Sequence, residues 1–122
     1  MTKIKFALAL VFATVAIVGA GAFQSTGKKG YIIAQVDVTN PQQYGEYMKL
    51  TPGLIEKAGG RFIVRGGRTA MLEGPAARGR VVIIEFPSFE RAQEFYNSPD
   101  YVAARKVRAG AATAQFVLVE GF

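Results

Sequence analysis

Tyr31 to Val38 is rich in Ile and Val, with apolar and polar positions alternating from Ala34 to Val38, and this pattern predicts a first strand. The period then lengthens. Asn40-Pro41 opens a helix, because Asn accepts from the free amides of the first turn and Pro needs no donor there. Tyr44, Tyr47, Met48, Thr51, Leu54, Ile55 and Ala58 recur at helical spacing and give it one apolar face. Pro52 removes one amide donor and is expected to kink it. Gly59-Gly60 ends it, since glycine accepts the left-handed cap conformation. Arg61 to Arg65 reads as a second strand stopped by Gly66-Gly67, with Thr69 to Glu73 as its continuation and Gly74 to Gly79 as a turn. Arg80 to Phe86 is a third strand. Ser88 then caps a second helix, with Glu90 as a negative charge in its first turn and Phe89, Ala92, Phe95 and Tyr96 on its buried face. Asn97-Ser98-Pro99-Asp100 restarts a short helix through about Ala109, and Gln115 to Glu120 is the last strand.

The order β-α-β-β-α-β predicts an α+β fold of the ferredoxin-like kind, an antiparallel sheet with two helices on one face. Strict alternation assigns Ile32, Ala34, Val36, Val38, Phe62, Val64, Val82, Ile84, Phe86, Val117 and Val119 to the helix-covered face. It leaves Tyr31, Ile33, Gln35, Asp37, Arg61, Ile63, Arg65, Val81, Ile83, Glu85, Phe116, Leu118 and Glu120 on the other. That second face is too apolar for water, and a second copy of the same sheet is the simplest cover, which predicts a two-fold dimeric α+β barrel.

The N-terminus changes the picture of where this domain works. Lys3 and Lys5 precede an apolar run from Phe6 to Val18, broken by Thr14 alone, and Ala20-Gly21-Ala22 supplies small residues for a signal peptidase. The run is shorter than the roughly 20 residues of a membrane span. Residues 1–22 therefore read as a signal peptide cut after Ala22, with an uncleaved membrane anchor as the alternative. Residues 23–30 read as a linker and 31–122 as a single domain, exported to the periplasm or secreted. Loss of Lys3 and Lys5 lowers the net charge from +6 to +4. The remaining basic residues are scattered, so nucleic acid is not an expected partner. The chain contains no Cys and no His, which excludes disulfides, the usual zinc sites and any thiol or imidazole catalysis. No cofactor and no metal is called for.

Two groups of residues remain as candidate chemistry. On the mixed face, Arg65 and Gln35 are expected beside Asp37 and Glu85. The arrangement is either an ion pair in a dimer core or a ligand-orienting pocket in which Glu85 or Asp37 acts as a base. The second group is Tyr96, Ser98, Asp100, Tyr101 and Arg105, read either as turn and packing chemistry or as hydroxyls and a cation at the rim of a cleft. Tyr44 and Tyr47 carry the same two readings. Arg65-Gly66-Gly67-Arg68 is a weak phosphate motif, because no helix N-terminus follows it.

Several segments together resemble the family called domain of unknown function 1330. They are Gly30-Tyr31-Ile-Ile-Ala-Gln-Val, Asn40-Pro41-x-x-Tyr44-x-x-Tyr47, Gly59-Gly60-Arg-Phe-Ile-Val-Arg-Gly-Gly67, Leu72-Glu73-Gly74, Val82-Ile-Ile-Glu-Phe-Pro-Ser88, Phe95-Tyr96-Asn-Ser-Pro-Asp-Tyr101-x-x-Ala-Arg105 and Leu118-Val-Glu-Gly121. The resemblance implies the dimeric ferredoxin-like barrel and no particular reaction. Its wider superfamily includes cofactor-free monooxygenases and isomerases, many relying on a His or a haem that this chain has no His to supply. The expected function is small-molecule binding by an exported homodimer. The alternatives are a cofactor-free enzyme on a small carbonyl or phenolic compound, with Glu85, Asp37, Tyr96 or Tyr101 catalytic, and a structural dimer module. Arg65, Gln35, Ser98 and Arg105 are the expected ligand contacts.

Overall fold

The computed structural model describes residues 27–76 and 79–122. The segment 1–22 read above as a signal peptide, and residues 23–26 of the linker, lie outside the described residues. The elements run β1 (Gly30–Val38), α1 (Pro41–Lys57), β2 (Arg61–Arg65), β3 (Arg80–Phe86), α2 (Phe89–Asn97), α3 (Pro99–Arg108) and β4 (Ala112–Glu120). The four strands form one antiparallel sheet in the order β2-β3-β1-β4. The helices pack on one face, so the chain has the α+β ferredoxin-like fold.

The helix boundaries follow the predicted caps. Asn40 is extended and its side-chain oxygen accepts from the Gln43 amide at 3.2 Å. Helix α1 continues through Pro52 without interruption. Ser88 accepts from the Arg91 amide at 3.1 Å and opens α2. Ser98 ends α2 and starts α3: its hydroxyl donates to the Phe95 carbonyl and accepts from the Tyr101 amide. The Gln43 side chain donates to the carbonyls of Val107 and Ala109, tying the start of α1 to the end of α3.

The core lies between helices and sheet. Ile32, Ala34 and Val36 of β1 and Val82, Ile84 and Phe86 of β3 are buried against Tyr44, Tyr47, Ile55, Ala92, Phe95, Tyr101 and Ala104. An aromatic chain runs through it, from Phe86 to Phe95 (5.0 Å between centroids), Tyr101 (4.7 Å), Tyr47 (6.3 Å) and Tyr44 (5.2 Å). These are the separations of tilted and edge-on ring pairs, which add to simple area burial.

Three expectations of strand detail are corrected. Residues 67–73 form no strand, so β2 ends at Arg65. Strand β4 begins at Ala112 rather than Gln115, and its phase is inverted. Phe116 pairs with Ala34 and Leu118 with Ile32, which puts both on the helix side, while Val117 and Val119 face outward and are about half exposed. Four consecutive apolar residues carry no phase of their own, and the register with β1 decides it. In β2, a bulge stands between Phe62 and Val64. Arg61 and Phe62 oppose Glu85 and Ile84, but Val64 and Arg65 oppose Ile83 and Val82. The extra residue moves Arg65 to the helix-covered face and Val64 to the open one.

Candidate functional site

The bulge decides which side chains meet. Arg65, opposite Val82, enters the cleft between α1 and the inner face of the sheet. Arg80, opposite Val36, does the same from the first residue of β3. A third guanidinium, Arg108 at the last turn of α3, lies 5.2 Å over the Tyr47 ring and 5.0 Å over Phe116. The floor of the cleft is apolar, made by Ala34, Val36, Ile55, Val82 and Ile84, with Tyr44, Tyr47, Met48, Thr51, Phe62 and Tyr101 around it. The enclosed volume is about 30 Å³.

Each guanidinium lacks a carboxylate. Among the described residues the ion pairs are Lys49–Glu46, Lys57–Asp100 and Arg61–Glu85, and none involves Arg65, Arg80 or Arg108. Arg80 donates instead to the Met48 thioether sulfur at 3.4 Å, a weak acceptor. The Nε atoms of Arg80 and Arg108 are buried without a hydrogen-bond partner. Arg65 lies 4.3 Å over the Phe62 ring. Gly66 makes room for this arrangement. It adopts φ of 69°, and a Cβ there would stand 2.8 Å from an Arg80 guanidinium nitrogen.

The Tyr44 and Tyr47 hydroxyls beside these cations stay protonated. Tyr47 and Tyr101 share a buried hydrogen bond of 2.6 Å between their hydroxyls. Burial pushes Tyr47 far above the usual phenol range, and the neighbouring Tyr101 adds to that, while Arg108 opposes it. Burial also raises Tyr44, against the pull of Arg80, Arg108 and Arg65. Burial alone would lower Arg108, but its contacts with Tyr101 and Tyr47 outweigh that and hold it above its usual value. The cleft therefore presents fixed positive charge and neutral hydroxyl donors over an apolar floor, an arrangement suited to an anion.

The residues expected to act together are divided by the sheet. Arg65 and Tyr101 reach the cleft. Glu85 lies on the outer face and accepts from Arg61 Nε at 3.0 Å, so the expected Arg65–Glu85 neighbourhood does not form. Gln35 and Asp37 line a separate outer-face depression of about 180 Å³ with Thr113, Ala114 and Gln115. Ser98 is a cap between helices, and Asp100 stands 3.8 Å from Lys57. Arg105 stacks on Tyr96 at 4.3 Å, away from the cleft floor. Arg80 and Arg108 were missed by sequence reasoning, although a signal existed for both. Arg80 shares the parity of Val82, Ile84 and Phe86, and Arg108 follows Tyr101 and Ala104 at helical spacing. Among the described residues no group of acidic side chains is placed to hold a metal ion, and no helix is long and apolar enough to cross a membrane.

Residues 29–122 match the family described as domain of unknown function (DUF1330). No curated protein matches the chain. Among solved structures, a protein of unknown function from Rhodopseudomonas palustris is 21% identical, with a TM-score of 0.59 over 88% of this chain and 92% of that one. The methylated form of that protein gives a TM-score of 0.60 at 21% identity, over 88% and 90% of the two chains. A dimeric ferredoxin-like protein of unknown function from Thermobifida fusca is 18% identical, with a TM-score of 0.50 over 80% and 93%. These likenesses agree with the fold described above.

Proposed function

The chain belongs to the DUF1330 family, and on that premise we propose that it is a homodimer that binds a small organic anion in the inner cleft. One observation carries the binding reading: Arg65 and Arg80 line the cleft and Arg108 stacks on two of its rings, Tyr47 and Phe116, with no carboxylate among the lining residues. The Nε atoms of Arg80 and Arg108 are buried with no hydrogen-bond partner, and a purely structural core would be expected to satisfy such donors, because an unmet one is costly. An anion accepting from Arg80 would satisfy a donor that the protein leaves without a partner. Glu85 and Asp37, the expected bases, are on the opposite face of the sheet, so the cleft offers hydroxyls and guanidiniums and no carboxylate for proton abstraction.

The dimer reading rests on the outer face. Ile33, Val64, Val81, Ile83, Val117 and Val119 form an apolar surface that no helix covers, and the Thermobifida fusca relative is described as dimeric. Export is part of the same proposal and is supported by the residues 1–22 pattern. Its test is the N-terminus of the protein recovered from the envelope fraction by mass spectrometry. A chain starting at Phe23 agrees with it, and one retaining residues 1–22 supports an anchor instead.

The binding reading is tested by titration calorimetry with acetate and butyrate. Arg80→Gln should weaken binding at least tenfold while the protein remains folded by circular dichroism. Unchanged affinity in the variant, or no binding by the wild type, overturns the reading.

A further inference from the structure

The cleft as it stands is too small for a metabolite. Its volume of about 30 Å³ falls far short of the roughly 150 Å³ that holds a benzene-sized guest. A ligand must therefore displace part of the lining. Most of that lining is fixed. Ala34, Val36, Val82 and Ile84 are central strand residues, and Tyr47 and Tyr101 are locked by their mutual hydrogen bond. Met48 differs. It is only partly buried, its side chain has three rotatable bonds, and its contact with Arg80 is long, at 3.4 Å.

We propose that Met48 is a removable plug, and that the ligand is a monocarboxylate with a short unbranched apolar tail. This rests on the anion-binding reading above. The Met48 sulfur accepts from Arg80 Nη1, and Arg80 Nε is buried with no partner. A carboxylate is a far better acceptor than a thioether and takes its place on the guanidinium. Met48, released, turns aside and remains at the edge of the cleft, where it limits the length of the tail. The tail then fills the vacated space together with the existing cavity, against Val36, Ile55 and Val82. Head and tail are thus selected by different groups: Arg80 selects the charge, and Met48 sets the length.

The test uses acetate, butyrate and hexanoate with the purified protein in titration calorimetry. In the wild type each added methylene up to butyrate should tighten binding about fourfold, as expected for burying a CH2. Hexanoate should gain nothing further. Met48→Ala removes both the sulfur that competes for Arg80 and the side chain that limits the tail, so acetate should tighten modestly and hexanoate should tighten at least tenfold more than acetate does. Met48→Leu keeps the volume, so it should retain the length limit, and it provides the control if the Ala variant proves less stable. Butyrate and hexanoate binding no better than acetate in both the wild type and Met48→Ala overturns the plug while leaving anion binding intact. Failure of all three acids to bind, or equal binding by Arg80→Gln, overturns the reading beneath it.

Discussion

The two faces of this sheet contain similar amounts of Ile and Val but have opposite designs. The inner face is closed by three helices, and its apolar residues end in a cluster of guanidiniums and phenols. The outer face is open, and its charges are paired or lie towards its ends, with Arg61 on Glu85 as the pair at one end. Hydrophobicity alone does not distinguish them. What distinguishes them is where polar groups find partners. On the outer face Arg61 and Glu85 satisfy each other and the apolar side chains lack cover, a pattern expected of an association surface. On the inner face the apolar residues are covered and the cations lack carboxylate partners among the described residues, a pattern expected of a binding site.

The most severe way to break this contrast is to remove a side chain that only the inner face uses. Phe86 is almost completely buried against Phe95, and Phe86→Ala should cost about 3–5 kcal/mol in denaturant unfolding. That is a large share of the roughly 5–15 kcal/mol by which a domain of this kind is stable. On the outer face the same severity should act on assembly and not on the fold. Ile83→Asp is expected to halve the mass measured by light scattering while leaving the helical circular dichroism unchanged. A dimer that survives this substitution would refute the outer-face interface.

Smaller effects sharpen the comparison. Tyr47→Phe removes one buried hydrogen bond and should cost about 1 kcal/mol. It should also alter the response to alkali. The folded protein holds the Tyr47 proton more tightly than the unfolded chain does, so the corresponding stability is present below about pH 10 and is lost as pH rises above it. With no His or Cys to titrate, the denaturation midpoint should be nearly flat from pH 7 to 9 and then fall. The fall should be shallower in Tyr47→Phe. The smallest effect belongs to Arg61→Ala. Arg61 is 73% exposed, so in the monomeric Ile83→Asp background the loss should stay below about 1 kcal/mol. In the dimer it should exceed that, if the partner sheet buries the pair.

The element order was legible because each period in the sequence is long and each cap is explicit: Asn40-Pro41, Ser88, and Ser98-Pro99 all act where they stand. The face assignments were less legible. Arg61 and Arg65 flank three consecutive apolar residues, and strict alternation puts both arginines on one face, yet the bulge between Phe62 and Val64 reverses the second half. No residue type there announces a bulge. The partner strand imposes it, and the reversal carries Arg65 away from Glu85 and into the cleft. Phe116-Val-Leu-Val119 failed for a related reason, since an unbroken apolar run is compatible with either phase. The candidate site was therefore half legible: Arg65 and Tyr101 were named, but their neighbours were assigned across the wrong face.

The tyrosines have a practical consequence. The chain has five of them and no tryptophan, and Tyr44, Tyr47 and Tyr101 all line the cleft. Its near-ultraviolet emission is thus dominated by phenols, and three of the five emitters sit where a ligand would dock beside quenching-capable guanidinium and thioether groups. Occupancy of the cleft can be followed by intrinsic fluorescence in the unlabelled, unmutated protein, with Tyr31 on the outer face supplying a built-in reporter of association.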